Sequence, residues 1–215
     1  MLSVTLIIII ITCIVSIPAF NTPKIINDLI FYPPAIEGQK QWYRFFTCGL
    51  IHADVMHLAF NMYALYSFGR NVESDFTGKF DDVQGKFLYG LMYVTAIGFS
   101  LLPTYSKHKN DRYYRSLGAS GAVSAVIFAG ILLNPMDPIG LIFIPGRGIP
   151  GFIFGGIYLI ASHFLAKKGA GNINHSAHLW GALFGMLFIF FACLAFTNYK
   201  PLQEFINQIR MQYGL

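Results

Sequence analysis

The chain has 215 residues, of which 55% are hydrophobic and only 12% are charged, and its mean hydropathy is +0.54. Soluble domains carry about 25% charged residues, so this chain has too few charges to cover a water-exposed surface. The composition excludes a soluble globular domain, a disordered chain, a coiled coil and a nucleic-acid-binding protein. It predicts that lipid surrounds most of the molecule, and the net charge of +5 suits contact with anionic lipid headgroups.

Six apolar segments separated by polar breaks follow one another along the chain, and we expect each to cross the membrane as a helix. They comprise residues 2–20, 50–68, 87–105, 118–133, 149–166 and 176–197. Since no internal repeat is present, the pattern predicts one all-α domain over residues 1–215, a polytopic bundle of six transmembrane helices. The first segment lacks Lys and Arg before its apolar run, so we expect an uncleaved anchor rather than a signal peptide.

The fourth segment is unusually short. It has 16 residues before Asn134-Pro135, and a helix of that length spans about 24 Å, against a hydrocarbon core of about 30 Å. One end must therefore lie below the membrane surface, where polar atoms are tolerated only beside protein or water. We expect a cavity at that end.

The connector between the first two segments, residues 21–49, is rich in aromatic side chains and poor in charge, so we expect it to lie at the membrane interface. The three cysteines are Cys13, Cys48 and Cys193. Their wide spacing and odd number predict buried hydrophobic residues rather than a disulfide framework or a zinc site. We expect no metal and no cofactor.

Polar side chains inside membrane helices are costly and usually mark function. His57 and Asn61 lie four residues apart in the second segment, and hence on one helical face. Ser120 opens the fourth segment within Gly-Ala-Ser-Gly, and His178 opens the sixth. Because alternate segments cross the membrane in the same direction, we expect all four residues at one depth, where they can form a cluster.

Small residues predict close packing of the fourth and sixth segments. Ala177, Gly181 and Gly185 are spaced by four residues in the sixth segment, and Ala and Gly are frequent in the fourth. Such stripes let two helix backbones approach closely in a membrane. His178 follows Ala177, so we expect its side chain to reach Ser120.

A serine hydroxyl becomes a nucleophile when an imidazole accepts its proton, and the resulting oxyanion needs hydrogen-bond donors. The sequence suggests Ser120 as nucleophile and His178 as base. It suggests His57, Asn61 and the backbone N–H of Ser120 as oxyanion donors. Since the fourth and sixth segments contain no Asp or Glu, we expect a Ser–His dyad rather than a triad.

Each of these residues also has a structural interpretation. Ser120 can be a small packing residue, and His57 with Asn61 can form interhelical hydrogen bonds. His178 can be an interface histidine near a helix end. For each residue alone the structural interpretation is favoured, and only their joint occurrence on helices of the same direction favours catalysis.

Three further polar residues receive no catalytic role. His52 lies at the start of the second segment, where polar residues need no special cause. Ser124, one turn after Ser120, is expected to bond the backbone or to face the cluster. Glu73 lies unfavourably near a helix C-terminus and needs a partner, either Arg70 or a loop amide.

The pattern resembles the rhomboid family of intramembrane serine proteases, of the bacterial six-span type. The resemblance covers nearly the whole chain. Its motifs are His57-x3-Asn61 on the second span, Gly118-Ala-Ser120-Gly121 opening the fourth, and Ala177-His178-x2-Gly181-x3-Gly185 on the sixth.

The resemblance implies a serine endopeptidase that cleaves a peptide bond in or beside a substrate's transmembrane helix. Ser120 would be the nucleophile and His178 the base, with His57 and Asn61 at the oxyanion site. The implied partners are transmembrane protein substrates and the lipid bilayer, without nucleic acid, and the oligomeric state stays open.

The resemblance further implies a half-submerged first loop at residues 21–49, a cap over the site at residues 169–176 and a lateral gate formed by the fifth span. Two positions depart from the family pattern. The Trp-Arg pair of the first loop is here Trp42-Tyr43-Arg44. Ser124 stands where bacterial members often have a tyrosine stacked beneath the catalytic imidazole.

By the same resemblance, the protein would lie in a bacterial inner membrane with its N-terminus inside and its site facing outward, where water and substrate ends are present. The outer loops would then carry nine basic residues and the inner segments six, which is the reverse of the positive-inside rule. The nine are Lys24, Lys40, Arg44, Lys107, Lys109, Arg112, Arg115, Lys167 and Lys168.

Two other functions remain open. A non-proteolytic rhomboid-like protein would bind client membrane helices, but such relatives typically lack the nucleophile or the base, whereas Ser120 and His178 are both present. A small transporter would place polar residues and discontinuous helices near the middle of the membrane, whereas here they gather towards one face.

Overall fold

The computed structural model describes residues 3–140, 148–168 and 174–214. The described residues form ten α-helices and one two-stranded antiparallel sheet, so the predicted all-α class is correct apart from a minimal strand pair. The elements are α1 (Val4–Ala19), α2 (Pro23–Leu29), α3 (Pro33–Gly38), α4 (Arg44–Thr47), α5 (Val55–Phe80), α6 (Asp82–His108), α7 (Ser120–Leu133), β1 (Pro138–Ile139), β2 (Ile149–Pro150), α8 (Gly151–Lys168), α9 (His175–Phe196) and α10 (Pro201–Tyr213).

Helices α1, α5, α6, α7, α8 and α9 coincide with the six predicted apolar segments. Among the described helices, α6 and α9 are long and apolar enough to cross a membrane, while α1, α7 and α8 are apolar but shorter. Helix α5 is long, but its second half carries charged side chains and continues to Phe80, well beyond the predicted end at residue 68. The helical fold is confirmed, and the number of membrane crossings stays a prediction.

Helix α7 is the centre of the bundle. All of its residues except Ser120 and Gly130 are buried, and α5, α6 and α9 pack around it. Its short apolar sequence, rich in Ala, Gly and β-branched residues, therefore contacts protein on every side. This enclosure keeps lipid away from both ends of α7, including the end that begins at Ser120.

The first helix is fastened to the bundle by Glu73 of α5. Its carboxylate, buried in the fold, accepts hydrogen bonds from the backbone N–H of Val4 at 2.7 Å and of Thr5 at 3.0 Å. These are unpaired donors at the N-terminus of α1, where a negative charge also stabilises the helix dipole. The partner of Glu73 is thus a pair of helix-terminal amides, and not Arg70, which donates to the Tyr66 hydroxyl.

The connector between α1 and α5 folds into the three short helices α2, α3 and α4. The Arg44 guanidinium, buried in spite of its charge, donates to the carbonyl oxygens of Asn27 and Ile30, each at 2.8 Å. Phe31 and Ser116 exchange backbone hydrogen bonds of 3.0 and 3.1 Å. The loop is therefore held by Arg44 despite the inserted Tyr43, and it is tied to the segment that leads into α7.

Helix α10 was not among the predicted segments. The side-chain amide of Gln208 donates to the carbonyl oxygen of Leu133, the last residue of α7, at 2.9 Å. Leu202 and Ile206 are exposed on this helix. Helix α10 thus closes the end of α7 that lies opposite Ser120.

Candidate active site

Ser120 is the first residue of α7, and a glycine shapes the chain that leads to it. Gly118 has φ of +111°, a left-handed conformation that favours glycine, and its N–H donates to the Cys48 carbonyl at 2.9 Å. A Cβ atom at Gly118 would lie 2.7 Å from the Cε1 atom of His57. The glycine therefore permits both the turn into α7 and the close approach of His57.

His178 lies within hydrogen-bond distance of the serine. Its Nε2 atom is 2.8 Å from Ser120 Oγ, although the two residues are 58 positions apart in sequence. Asn174 caps α9, since its Oδ1 accepts from the Ala177 N–H at 3.1 Å, and its Nδ2 donates to Thr104 Oγ1 of α6 at 3.1 Å. This cap fixes the first turn of α9, and with it the backbone that carries His178.

The predicted close approach of α7 and α9 is confirmed. A Cβ atom on Gly181 would overlap the carbonyl oxygen of Gly121, and one on Gly185 would overlap that of Ala125. The two backbones are thus in contact over at least one helical turn. This contact brings His178 near enough to bond Ser120.

The predicted oxyanion donors lie on the first turns of α5. Asp54 caps this helix by accepting from the His57 N–H at 2.8 Å, and Asn61 Nδ2 donates to the His57 carbonyl at 2.9 Å. His57 Nδ1 accepts a 3.4 Å hydrogen bond from the Ala53 N–H, so in the neutral ring the proton is on Nε2. Nε2 lies next to Cε1 on the ring edge that faces Gly118, and Asn61 lies one turn further along α5.

His52 takes part in the site, although its position in the sequence predicted no catalytic role. It is fully buried, and its Nε2 accepts from the Ala119 N–H at 3.4 Å. Its Nδ1 lies 2.9 Å from Ser16 Oγ, which itself donates to the Leu50 carbonyl at 2.8 Å. His52 thus links α1 to the residue directly before Ser120. Complete burial of an ionisable ring is the signal, and it is visible only in the fold.

Tyr158 of α8 is a second residue that sequence reasoning missed. Its ring stacks with His178, with centroids 6.2 Å apart and planes inclined by 25°. Its hydroxyl lies 2.7 Å from Ser124 Oγ, and Ser124 donates to the Ser120 carbonyl at 2.9 Å. The expected backbone bond of Ser124 is therefore present. The aromatic neighbour of His178 comes from α8, and not from the position one turn after Ser120.

The arrangement has the geometry of a Ser–His dyad. Among the described residues, His178 has no hydrogen bond or ion pair with a carboxylate. A cavity of about 10 Å³ adjoins Ser120, and a larger polar pocket of about 580 Å³ opens at the same end of the bundle, lined by His175, His163 and Lys107 among others. The small cavity beside Ser120 lies at the end of α7 where a cavity was expected.

Most residues of the candidate site lie in a segment that matches a known domain family. Residues 39–195, which include every site residue named above except Ser16, match the sequence model of the rhomboid domain. The chain belongs to the rhomboid family. The matched segment runs from the connector that contains Arg44 to the end of α9.

Three curated relatives show where similar domains occur. The presenilin-associated rhomboid-like protein, mitochondrial, of Rattus norvegicus is 31% identical over 167 residues, which cover 74% of this chain and 41% of the relative. RHOMBOID-like protein 12, mitochondrial, of Arabidopsis thaliana is 32% identical over 152 residues, 63% of this chain and 42% of the relative. Rhomboid-like protein 11, chloroplastic, of the same plant is 30% identical over 166 residues, 69% and 51% respectively. The chain thus spans about half or less of each relative's length.

These relatives carry organellar names, so they support a membrane rhomboid domain without supporting the predicted bacterial type. The predicted cap at residues 169–176 falls mostly outside the described residues, and only residues 174–176 are described, as the N-cap and first residues of α9. The roles of Ser120, His178, His57 and Asn61 stay predictions.

Proposed function

We propose that this chain is an intramembrane serine endopeptidase that cleaves transmembrane substrates with Ser120 and His178. The observation that carries the proposal is the 2.8 Å separation of Ser120 Oγ and His178 Nε2 at the N-terminus of a buried helix. Membership of the rhomboid family supports it. A protein that only binds client helices has no need of this pairing.

In the proposed reaction, Ser120 Oγ attacks the carbonyl carbon of the scissile peptide bond while His178 Nε2 accepts the hydroxyl proton. The tetrahedral intermediate collapses when the C–N bond breaks and His178 returns the proton to the leaving nitrogen. A water molecule deprotonated by His178 then attacks the acyl-enzyme ester. The carboxylic acid product leaves, and Ser120 regains its proton.

The oxyanion of each tetrahedral intermediate would form beside the N-terminus of α7. As the first residue of that helix, Ser120 has a backbone N–H without an intrahelical partner, and the helix dipole favours negative charge there. His57 supplies its Nε2–H and Asn61 its side-chain amide. Three donors of this kind, held before the reaction begins, stabilise the charge without reorganisation.

Substrate choice follows from the state of the substrate helix. A transmembrane helix buries each carbonyl in its own hydrogen-bond ladder, and unwinding in lipid leaves backbone groups unpaired at several kcal/mol each. We therefore propose that Gly or Pro a few residues into the substrate helix raises cleavage. The small cavity next to Ser120, lined by Gly121 and Ala177, supports a preference for Ala over Phe or Val at the cleaved bond.

We also propose on which side of the membrane the Ser120 site lies. The relatives named above do not support a bacterial inner membrane with an outward-facing site, so we base the proposed orientation on the charge distribution. The loops at the site end carry nine of the fifteen Lys and Arg residues, and such loops stay on the cytoplasmic side in bacteria. We therefore propose that the site lies on the side where basic loops remain, which is the cytoplasmic side in bacteria. The resemblance implied the opposite orientation, with the site facing outward.

Cysteine accessibility tests the orientation. Lys109→Cys lies at the site end and Gln203→Cys lies on α10 at the opposite end, and both native side chains are exposed. In sealed, right-side-out bacterial vesicles, an impermeant maleimide should label Gln203→Cys at once and Lys109→Cys only after detergent is added. The reverse labelling pattern would restore the outward-facing site.

The function itself is tested with purified protein and a labelled transmembrane peptide that contains an Ala-Gly step near one end. Wild-type protein should cleave the peptide, and Ser120→Ala and His178→Ala should each abolish cleavage while the protein stays folded. The double variant should be no worse than either single one, because the two residues act as a unit. Peptide binding without cleavage by the wild type would instead support a client-binding rhomboid-like protein.

A further inference from the structure

Helix α8 is a peripheral helix that reaches the dyad through one side chain. It packs against α7 and α9, and its outer face exposes Ile157 (58%), Ile160 (61%) and Phe164 (59%). In a membrane these side chains face lipid. On the inner face, Tyr158 points between α7 and α9, where Ser120 and His178 lie.

The Tyr158 ring holds the plane of the His178 imidazole. The two rings are offset-stacked, with centroids 6.2 Å apart and an interplanar angle of 25°. The rings of His175 and His178 are nearly perpendicular, with centroids 5.6 Å apart and an interplanar angle of 81°. Since His178 has no carboxylate partner among the described residues, these two rings and the hydrogen bond to Ser120 restrict its rotation.

The Tyr158 hydroxyl reaches the nucleophile by a short chain of hydrogen bonds. Ser124 gives its single hydroxyl proton to the Ser120 carbonyl at 2.9 Å, so at 2.7 Å it accepts the proton of Tyr158. The ring of Phe128 in α7 packs beside the Tyr158 ring, with centroids 5.5 Å apart, and limits the movement of Tyr158. Tyr158 of α8 thus contacts His178 directly, and it is linked to Ser120 through Ser124.

We propose that Tyr158 is a positioning residue of the dyad, through which the reactivity of Ser120 depends on the placement of α8. This rests on the proposed protease function. When α8 is in place, Tyr158 aligns the His178 ring with Ser120 Oγ. When α8 moves away from α7, the stack and the hydrogen-bond chain are lost together, and the base loses its alignment. A substrate helix that reaches the site past α8 must therefore leave the Tyr158 turn packed before cleavage proceeds.

Two measurements on the purified full chain separate positioning from substrate access. The first is cleavage of the labelled transmembrane peptide, resolved into kcat and KM. The second is the rate at which a small fluorophosphonate labels Ser120, which needs an activated hydroxyl but no passage of a substrate helix. The variants are Tyr158→Leu, Tyr158→Phe and Ser124→Ala, with Phe164→Leu on the outer face of α8 as the matched control.

Tyr158→Leu should lower kcat and the labelling rate together by about 10²-fold, as misplacement of a catalytic group does, with little change in KM. Tyr158→Phe keeps the ring stack, so its kcat and labelling rate should fall less. Ser124→Ala should show a decrease similar to that of Tyr158→Phe, and Phe164→Leu should have wild-type values. Unchanged labelling with faster peptide cleavage in Tyr158→Leu would show that Tyr158 only obstructs access, and would overturn the proposal.

Wild-type rates of peptide cleavage and of fluorophosphonate labelling in Tyr158→Leu would also overturn the proposed role of Tyr158. If Tyr158→Leu fails to fold, as judged by thermal unfolding in detergent, Tyr158→Phe and Ser124→Ala decide alone, and wild-type rates in both would reject the hydrogen-bond chain. A wild-type protein that is neither labelled nor active would refute the proposed function itself, which is distinct from a loss confined to the Tyr158 variants.

Discussion

A Cβ atom on Gly181 would overlap the carbonyl oxygen of Gly121, so the backbones of α9 and α7 are in direct contact one turn below the dyad. Neither partner in this contact is a flexible side chain that could rotate away. The distance between Ser120 and His178 is therefore set by two glycines that take no part in the chemistry.

Gly181→Ala should push α9 away from α7 and lower turnover by about 10²-fold, because a displacement of about 1 Å at a catalytic group has an effect of this size. Overpacking should also reduce the free energy of unfolding by about 1–3 kcal/mol. Gly156→Ala on α8 is the control, since a Cβ there has no neighbour within 4 Å. Wild-type turnover in Gly181→Ala would show that the helices can separate without disturbing the dyad.

His57→Ala and Asn61→Ala should each lower kcat by about 10²–10³-fold and leave KM nearly unchanged, as loss of an oxyanion donor does. The backbone N–H of Ser120 preserves a residual rate. Asn71→Ala, at an exposed position on the far half of α5, serves as the control. An effect on KM alone would assign these side chains to substrate binding or packing.

His52→Phe keeps the ring volume but removes both ring nitrogens. The Ala119 N–H then loses its partner, and Ser16 loses its bond to His52 while it keeps the bond to the Leu50 carbonyl. We expect a loss of stability of about 1–3 kcal/mol. Because Ala119 precedes the nucleophile, kcat should also fall at temperatures where the variant is fully folded. The exposed His163→Phe is the comparison, and a destabilised variant with normal kcat would limit His52 to a structural role.

Glu73→Ala should lower the free energy of unfolding by about 1.5–3 kcal/mol, since it removes charge-assisted hydrogen bonds to the N-terminus of α1. Thermal unfolding in detergent measures the change, with the exposed Glu37→Ala as control. Turnover of the folded fraction should stay normal because Glu73 is remote from Ser120 in the fold. Equal stability of both variants would contradict the assignment of Glu73 as the cap of α1.

The sequence allowed Ser120 and His178 to be paired because their placement follows from simple rules. Both open a helix, the helices run in the same direction, and small residues let them approach. The positions of α5, α7 and α9 then bring His57 to the same end. None of these steps depends on how a helix is rotated about its own axis.

Tyr158 and His52 could not be found this way. Whether an aromatic residue on α8 faces lipid or the dyad depends on the rotation of α8, and nearly all residues around Tyr158 are apolar. His52 lies outside α5, and it is buried because α1, His57 and the turn into α7 meet around it. The extension of α5 to Phe80 was also missed, since its charged second half reads as a loop until Glu73 is seen to cap α1.

The Arg44 guanidinium closes a loop of the connector by bonding the carbonyls of Asn27 and Ile30, a task that many small extracellular domains give to a disulfide. Cys13, Cys48 and Cys193 are all free thiols. These three cysteines lie among the described residues, and they form no disulfide that a reductant could open. The chain can therefore keep its structure in a reducing and in an oxidising compartment. The redox conditions on the two sides of the membrane do not restrict on which side the site can lie.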